Sequence, residues 1–399
     1  MMKRFVVALA VTLTCASASA ESPADTVRIG VIGPFTGGSA DFGIPMLNGV
    51  KLAVDEINSV GGYLGRKLEL VIKDDRADPA AGRAAAEAMR SEHVVAAIAF
   101  CNTGVAMKSI DVFQTAKIPL IVPCATGTPI TTTYPAKDSY IFRTSARDEI
   151  QAPFVVKDIV RRGWKRVAVL ADRSGYGEAG LKDVKGALEK QGLTPAYVGR
   201  FDVGVKDLTA EMKEARAAAA NVVFTYTVGP ENAVVARARE QIKWKVPIVG
   251  PWTLSFPFFI DGAGSLAEGA LMVQTFIAEP SNERRTSFLS SYSKTYKTPR
   301  IPVPMAAAQA YDSIYILTYA LLGIRGGDFS GPAVKEALEN IRRTYYGVVA
   351  TYEKPFSAAD KDAIDESMLV LGEVKKGQVT FAYPESARKN LLVQRKKAS

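Results

Sequence analysis

Two short polar stretches, each following a buried apolar run, carry the residues best suited to hold a small molecule. The first is Cys101-Asn102-Thr103-Gly104, after the run 94–100. The second is Cys124-Ala125-Thr126-Gly127-Thr128-Pro129, after Ile118-Pro119-Leu120-Ile121-Val122. Between them Val105, Ala106, Ile110, Phe113 and Ala116 form one helical stripe. Two parallel strands joined by a helix put both polar tips on the same edge of a sheet. Open α/β sheets bind ligands at that carboxyl edge. Hydroxyls, an amide and backbone N–H groups beside a helix start suit a carboxylate or a similar anion. The same residues could instead cap helices and turns; their pairing on two neighbouring tips favours ligand contact, and the stretch reads as half of a binding cleft.

Other chemistry is poorly supplied. The chain of 399 residues has one histidine, His93, and three cysteines. No histidine lies beside Cys101 or Cys124 to act as a base for a thiol nucleophile. The same counts are too low for a common metal site. The glycine-rich loop 34–43 lacks the G-x-G-x-x-G spacing of a dinucleotide site. Neither an enzyme nor a cofactor is expected. Asp74-Asp75 reads as a strand-end turn, with Asp78-Pro79 starting a helix.

The formal charge of +9 is dispersed, without a basic stripe interleaved with aromatics, so nucleic acid is not an expected partner. Lys3-Arg4 precede an apolar run over 5–13, and Ala18-Ser19-Ala20 offers a small-residue cleavage site. Residues 1–20 therefore read as a signal peptide cleaved near Ala20, and the mature chain as exported to the periplasm. Lipid attachment at Cys15 is disfavoured by the preceding Thr14. An oxidising compartment permits a disulfide between Cys101 and Cys124; two buried free thiols fit equally well.

The positioning elements alternate strand and helix along most of the chain, which argues for parallel sheets with helices on both faces. The fold class is α/β, with two doubly wound parallel-sheet lobes joined by three crossings, expected near 145, 275 and 353. Lobe 1 takes residues 26–144 plus 275–353, and lobe 2 takes 145–274 plus 354–399. Asp148 reads as the cap of a helix beginning near Gln151. Strands are expected over 348–352, 368–374 and 377–383.

Several short motifs follow one another along the chain. They are Ile29-Gly30-x-x-Gly33-Pro34, the run GVKLAVDEINSVGGYLG over 49–65 followed by Arg66-Lys67-Leu68, and Asp74-Asp75-x-x-Asp78-Pro79. Ala125-Thr126, Phe142-Arg143-Thr144, Tyr176-Gly177-Glu178 and Gly250-Pro251 complete the series. In this order and spacing the mature chain resembles the periplasmic substrate-binding proteins of the leucine/isoleucine/valine type, which serve ABC importers. The resemblance implies a type I periplasmic binding protein fold that closes over a small-molecule ligand and docks, as a monomer, on a membrane permease. It implies that Asn102, Thr103, the Ala125 backbone and Thr126 hold the ligand carboxylate. It places Phe42 as an aromatic wall, and Asp148 and Tyr176 as polar contacts from the second lobe. After Gly250-Pro251 the amino-acid binders carry a glutamate for the ligand ammonium; here Trp252 stands there. Either Asp148 replaces that charge, or the ligand is a hydrophobic or aromatic carboxylate without an ammonium. The expected ligand is a branched-chain or related amino acid, with the aromatic carboxylate as the alternative. A ligand-sensing receptor of the same fold is the alternative role.

Overall fold

In the computed structural model, which describes residues 26–391 and 396, the apolar runs pair into two sheets. The expected signal peptide, with Cys15, lies outside the described residues. The first sheet holds β1 (Thr26–Gly33), β2 (Lys67–Asp74), β3 (Ala96–Ala99), β4 (Leu120–Val122) and β5 (Ile141–Arg143). All are parallel, in the order β2-β1-β3-β4-β5. The order reverses between β1 and β3, so the loops leaving them diverge and open a crevice at the carboxyl edge. The connecting helices are α1 (Ala40–Ser59), α2 (Pro79–Ser91), α3 (Thr103–Met107), α4 (Ile110–Ala116) and α5 (Pro129–Thr132). The apolar stripe over 105–116 is two helices rather than one, because Ser109 turns its hydroxyl back onto the Val105 carbonyl at 2.9 Å.

The second sheet follows α6 (Asp148–Arg161). Its strands are β6 (Val167–Asp172), β7 (Tyr197–Phe201), β8 (Val222–Tyr226), β9 (Ile248–Gly250) and β10 (Leu271–Gln274). They are linked by α7 (Gly175–Glu189), α8 (Thr209–Ala217), α9 (Glu231–Gln241) and α10 (Pro257–Ala263). The chain then leaves this sheet. The helices α11 (Glu283–Tyr296) and α12 (Pro304–Leu321) return to α1, where Asn48 donates to Tyr292 OH at 3.1 Å. At Gly49 a Cβ would come within 2.1 Å of the Ala307 carbonyl oxygen, so glycine permits the close approach of α1 and α12. After α13 (Gly331–Glu339) comes a short hairpin, β11 (Tyr345–Tyr346) with β12 (Thr351–Tyr352), in place of the single strand expected over 348–352. Buried Asp312 fixes it by accepting from Tyr345 OH and from Val348 N–H and Val349 N–H, each at 2.8 Å. The chain ends on β13 (Val370–Lys375), β14 (Gln378–Phe381) and α14 (Pro384–Leu391). The antiparallel β13 and β14 extend the second sheet at one edge, in the order β14-β13-β10-β9-β8-β6-β7.

The final return comes later than residue 353. Arg143 N–H donates to Lys361 O and Ala363 N–H to Arg143 O, each at 2.8 Å, so this segment lies along β5 of the first sheet. Phe356 packs edge-on against Phe142, with ring centroids 5.0 Å apart. Backbone pairing and ring packing together hold residues 356–363 to the first sheet before β13 joins the second. The Arg143 side chain is fully buried and donates to Asp362 Oδ1 at 2.6 Å. Removing one partner of a buried ion pair leaves the other charge uncompensated, at about 3–5 kcal/mol. Arg143→Met should therefore lower the unfolding free energy by about that amount, read from urea midpoints at unchanged slope; a loss within error would mean the pair is not buried in solution.

Candidate functional site

The two polar tips come together at the carboxyl edge of the first sheet. Thr103 Oγ1 accepts the Gly127 N–H at 3.2 Å, so this hydroxyl binds one tip to the other. Glycine is required opposite it, since a Cβ at Gly127 would sit 2.3 Å from Thr103 Cγ2. Asn102 donates from Nδ2 to Ser39 Oγ at 3.3 Å, across the crevice between β1 and β3, while its Oδ1 is buried without a partner. Thr126 is buried and its Oγ1 has no partner. Ala125 departs from expectation. Its N–H donates to Phe100 O at 3.1 Å and its carbonyl accepts from Ser145 Oγ at 2.9 Å, so it presents no free backbone donor. The carbonyls of Thr126 and Gly127 are held from below by Arg143 Nη1, at 2.9 and 2.8 Å.

The second sheet supplies the opposing wall. α6 begins one turn earlier than expected, and Asp148 is its first residue rather than its cap. Its N–H donates to Thr126 O at 2.9 Å, and its Oδ1 accepts from Gln151 Nε2 at 3.2 Å. Its Oδ2 is buried and unpaired; the Thr126 and Tyr226 hydroxyls stand beside it without hydrogen-bonding geometry. Burial pushes the carboxyl up to about 7, an effect those two hydroxyls partly offset. Tyr176 occupies the first turn of α7, which Ser174 caps by accepting the Gly177 N–H at 3.2 Å. Its ring lies 4.9 Å from that of Tyr226, at the end of β8. Tyr226 fits there because Gly180 has no side chain: a Cβ would be 2.0 Å from the tyrosine ring. Trp252, in the turn after β9, donates its backbone N–H to Gln151 Oε1 at 3.3 Å, and its ring packs edge-on to Phe256 at 4.9 Å. Phe256 in turn meets Phe42 of the first lobe at 5.2 Å.

The lobes touch around this cluster. Thr128 donates to Asp183 Oδ2 on α7 at 2.7 Å. A Cβ at Gly175 would lie 3.1 Å from Gly104 Cα, so two glycines let the facing helix starts meet. A narrow cavity with room for about one water molecule is lined by Thr126 and Trp252 together with Thr275, Met305 and Gln309. Enclosed in or beside this seam are polar atoms without partners: Thr126 Oγ1, Tyr176 OH, Tyr226 OH, Trp252 Nε1, Thr253 Oγ1, Asp148 Oδ2 and Asn102 Oδ1. The indole can only donate, the hydroxyls can donate, and the carboxylate and amide oxygens accept. Such a set suits an anion that also carries a hydrogen-bond donor.

Tyr226, Thr253, Gln151 and Phe256 are missing from the residues singled out by sequence. A signal existed for Tyr226, which ends a buried strand at the edge where ligands bind. Cys101 and Cys124 stand as buried free thiols rather than a disulfide. Cys101 Sγ points at Met46 Sδ, 3.4 Å away, and burial pushes its thiol well up, which keeps it protonated and unreactive. His93 sits at the opposite end of β3 from Cys101. Asp74 is occupied as a turn, accepting Phe35 N–H at 2.8 Å and Arg76 N–H at 3.0 Å, and Asp78 caps α2.

A sequence model described as "Periplasmic binding protein" matches residues 26–378. The Leu/Ile/Val-binding protein homolog 3 of Brucella melitensis is 29% identical over 340 residues, covering 84% of this chain and 88% of that protein. The leucine-, isoleucine-, valine-, threonine-, and alanine-binding protein of Pseudomonas aeruginosa is 30% identical over 269 residues, covering 67% and 71%. Among solved structures, the periplasmic binding protein type 1 of Bordetella pertussis Tohama I superposes with a TM-score of 0.81 at 23% identity, covering 90% of this chain and 99% of that one. Two doubly wound sheets, three connections between them and a match over almost all the described residues agree, and the chain belongs to the periplasmic binding protein family.

Proposed function

We propose that this protein captures an amino acid of the branched-chain type, or a related hydrophobic carboxylate, between its lobes and delivers it to an ABC importer. The observation that carries this reading is the set of buried, unpaired polar atoms drawn from both lobes around Thr126 and Asp148. Each costs free energy while unpaired, and a ligand touching both lobes offsets that cost only in the closed arrangement. Capture is then a population shift driven by differential affinity, and no bond is made or broken. The lobes are assigned as residues 26–144 with 275–363, and 145–274 with 364 onward. The protein acts as a monomer in the periplasm, where the closed form docks on a membrane permease.

The Thr126, Tyr176 and Tyr226 hydroxyls and the Trp252 indole receive the carboxylate end, and the unpaired Asn102 Oδ1 is left to accept from a ligand donor. Thr103 sets the spacing of the tips. Phe42, Phe256 and Trp252 form the aromatic wall. Trp252 removes the carboxylate expected after Gly250-Pro251, which leaves Asp148 Oδ2 to meet an ammonium. The aromatic wall also supports the second reading, an aromatic carboxylate without an ammonium, toward which a protonated Asp148 is neutral.

A thermal-shift panel of branched-chain amino acids, their keto acids and aromatic acids tests this directly. A ligand at a hundred times its dissociation constant adds about 2.7 kcal/mol, a shift of a few degrees. No shift with any member would sink the proposal. Thr126→Val should weaken binding about tenfold or more, the about 1.5–3 kcal/mol of a hydrogen bond to a charged group; unchanged titration curves would remove Thr126 from the contact. The pH dependence follows from Asp148, held up to about 7. A raised carboxyl stabilises the fold fully below its unfolded value of about 4 and loses that contribution as pH rises through about 7. Wild type should therefore lose stability relative to Asp148→Asn across that interval. Amino-acid affinity should rise over the same interval and then level off, because the ammonium favours the ionised form; a flat profile for both quantities would contradict this role.

A further inference from the structure

The cavity that Thr126 lines is also lined by Gln309, in the second turn of α12, and by Thr275, just past β10. Gln309 is almost wholly buried. Its Nε2 donates to Thr275 Oγ1 at 2.7 Å, which fixes the amide plane, and its Oε1 has no partner. The Thr275 N–H is directed at Met305 Sδ at 3.2 Å, and the Gln274 amide donates to its neighbour's carbonyl at 2.9 Å. Ala146, Val273 and Met305 line the same cavity.

An unpaired carbonyl oxygen in such a place bears its full desolvation cost, whereas an apolar residue of similar shape would bear none. A site made only for an aliphatic side chain gains nothing from Gln309. No acidic or basic side chain lines the cavity. Asp312, one turn further along α12, has both oxygens filled by the β11–β12 hairpin. The Gln309–Thr275 pair therefore offers hydrogen bonding without charge. We infer that Gln309 is a specificity residue, and that the preferred ligand carries an uncharged hydroxyl or carboxamide at the end remote from its carboxylate. This inference rests on the reading of the cleft as a carboxylate site. Such a ligand bridges Thr126 at one end and the Gln309–Thr275 pair at the other. Sites that hydrogen-bond a polar group discriminate against the analogue that lacks it, because their own groups are then left unpaired.

Calorimetric titration of the mature protein with near-isosteric pairs tests the inference. The pairs are valine with threonine, leucine with asparagine, and benzoate with its para-hydroxyl derivative. The polar member of at least one pair should bind at least tenfold more tightly. Gln309→Met should narrow or invert that ratio while still binding the apolar member, and the wild-type ratio decides the matter even where this variant does not fold. Apolar members that bind wild type as tightly as their polar partners overturn the inference and leave the cleft reading intact; a buried water then serves Gln309. Binding of no member overturns the cleft reading, and the inference with it.

Discussion

The Arg143 guanidinium is where the sheet, the crossing segment and the ligand tip meet. It donates to the Thr126 and Gly127 carbonyls, to Thr131 and to Asp362, and its backbone pairs with residues 361 and 363. Asp362 also receives Arg147, at 3.2 Å, immediately before α6. One buried cation thus orients the loop that presents Thr126, the residue that precedes Asp148, and the segment that leads back to the second sheet. Buried charges are tolerated only when paired and hydrogen-bonded, so the network has few alternative arrangements. That restriction is useful in a hinge.

The closed arrangement is permitted by small residues and opposed by polar ones. Gly104 and Gly175 let two helix starts approach, and Gly127 lets Thr103 clamp the second tip. Against this, closure encloses hydroxyls, an indole N–H and a carboxyl oxygen that water would otherwise satisfy. Their combined desolvation makes the empty closed state costly. Under the proposed function, a ligand that supplies the missing partners would remove that cost in the closed state alone, so the same atoms would provide both recognition and the free energy of closure.

The sequence was legible where the signal is local. The strand–tip–helix rhythm puts Thr126 at the carboxyl edge without tertiary information, because it follows a buried run, whereas Tyr176 and Trp252 are expected in the site only from the resemblance. It failed where an atom's availability is decided by a distant neighbour. Whether the Ala125 N–H is free depends on the Phe100 carbonyl in the adjoining strand's tip. Whether residues after 353 leave the first sheet depends on the edge of β5 and on Phe142. Tyr226 reads as the end of a core strand until Gly180, on another element, is seen to receive its ring. Gln309 sits inside a mostly apolar helix, and only Thr275, 34 residues earlier, shows that it faces inward.

Trp252 changes the electrostatics of the site more than its shape. With no carboxylate in that position, Asp148 is the acidic group whose oxygen is unpaired within the cluster, and burial keeps it near neutrality. A buried carboxyl of this kind is adaptable. Protonated, it can stand among hydroxyls and aromatic rings at small cost; ionised, it can meet an ammonium that repays its desolvation. Two fixed carboxylates would hold the cleft to cationic groups at every pH. Under the proposed function, one titrating carboxyl beside an indole would instead make discrimination between an amino acid and a simple acid depend on protonation, and would leave the uncharged Gln309–Thr275 pair to select the rest of the molecule.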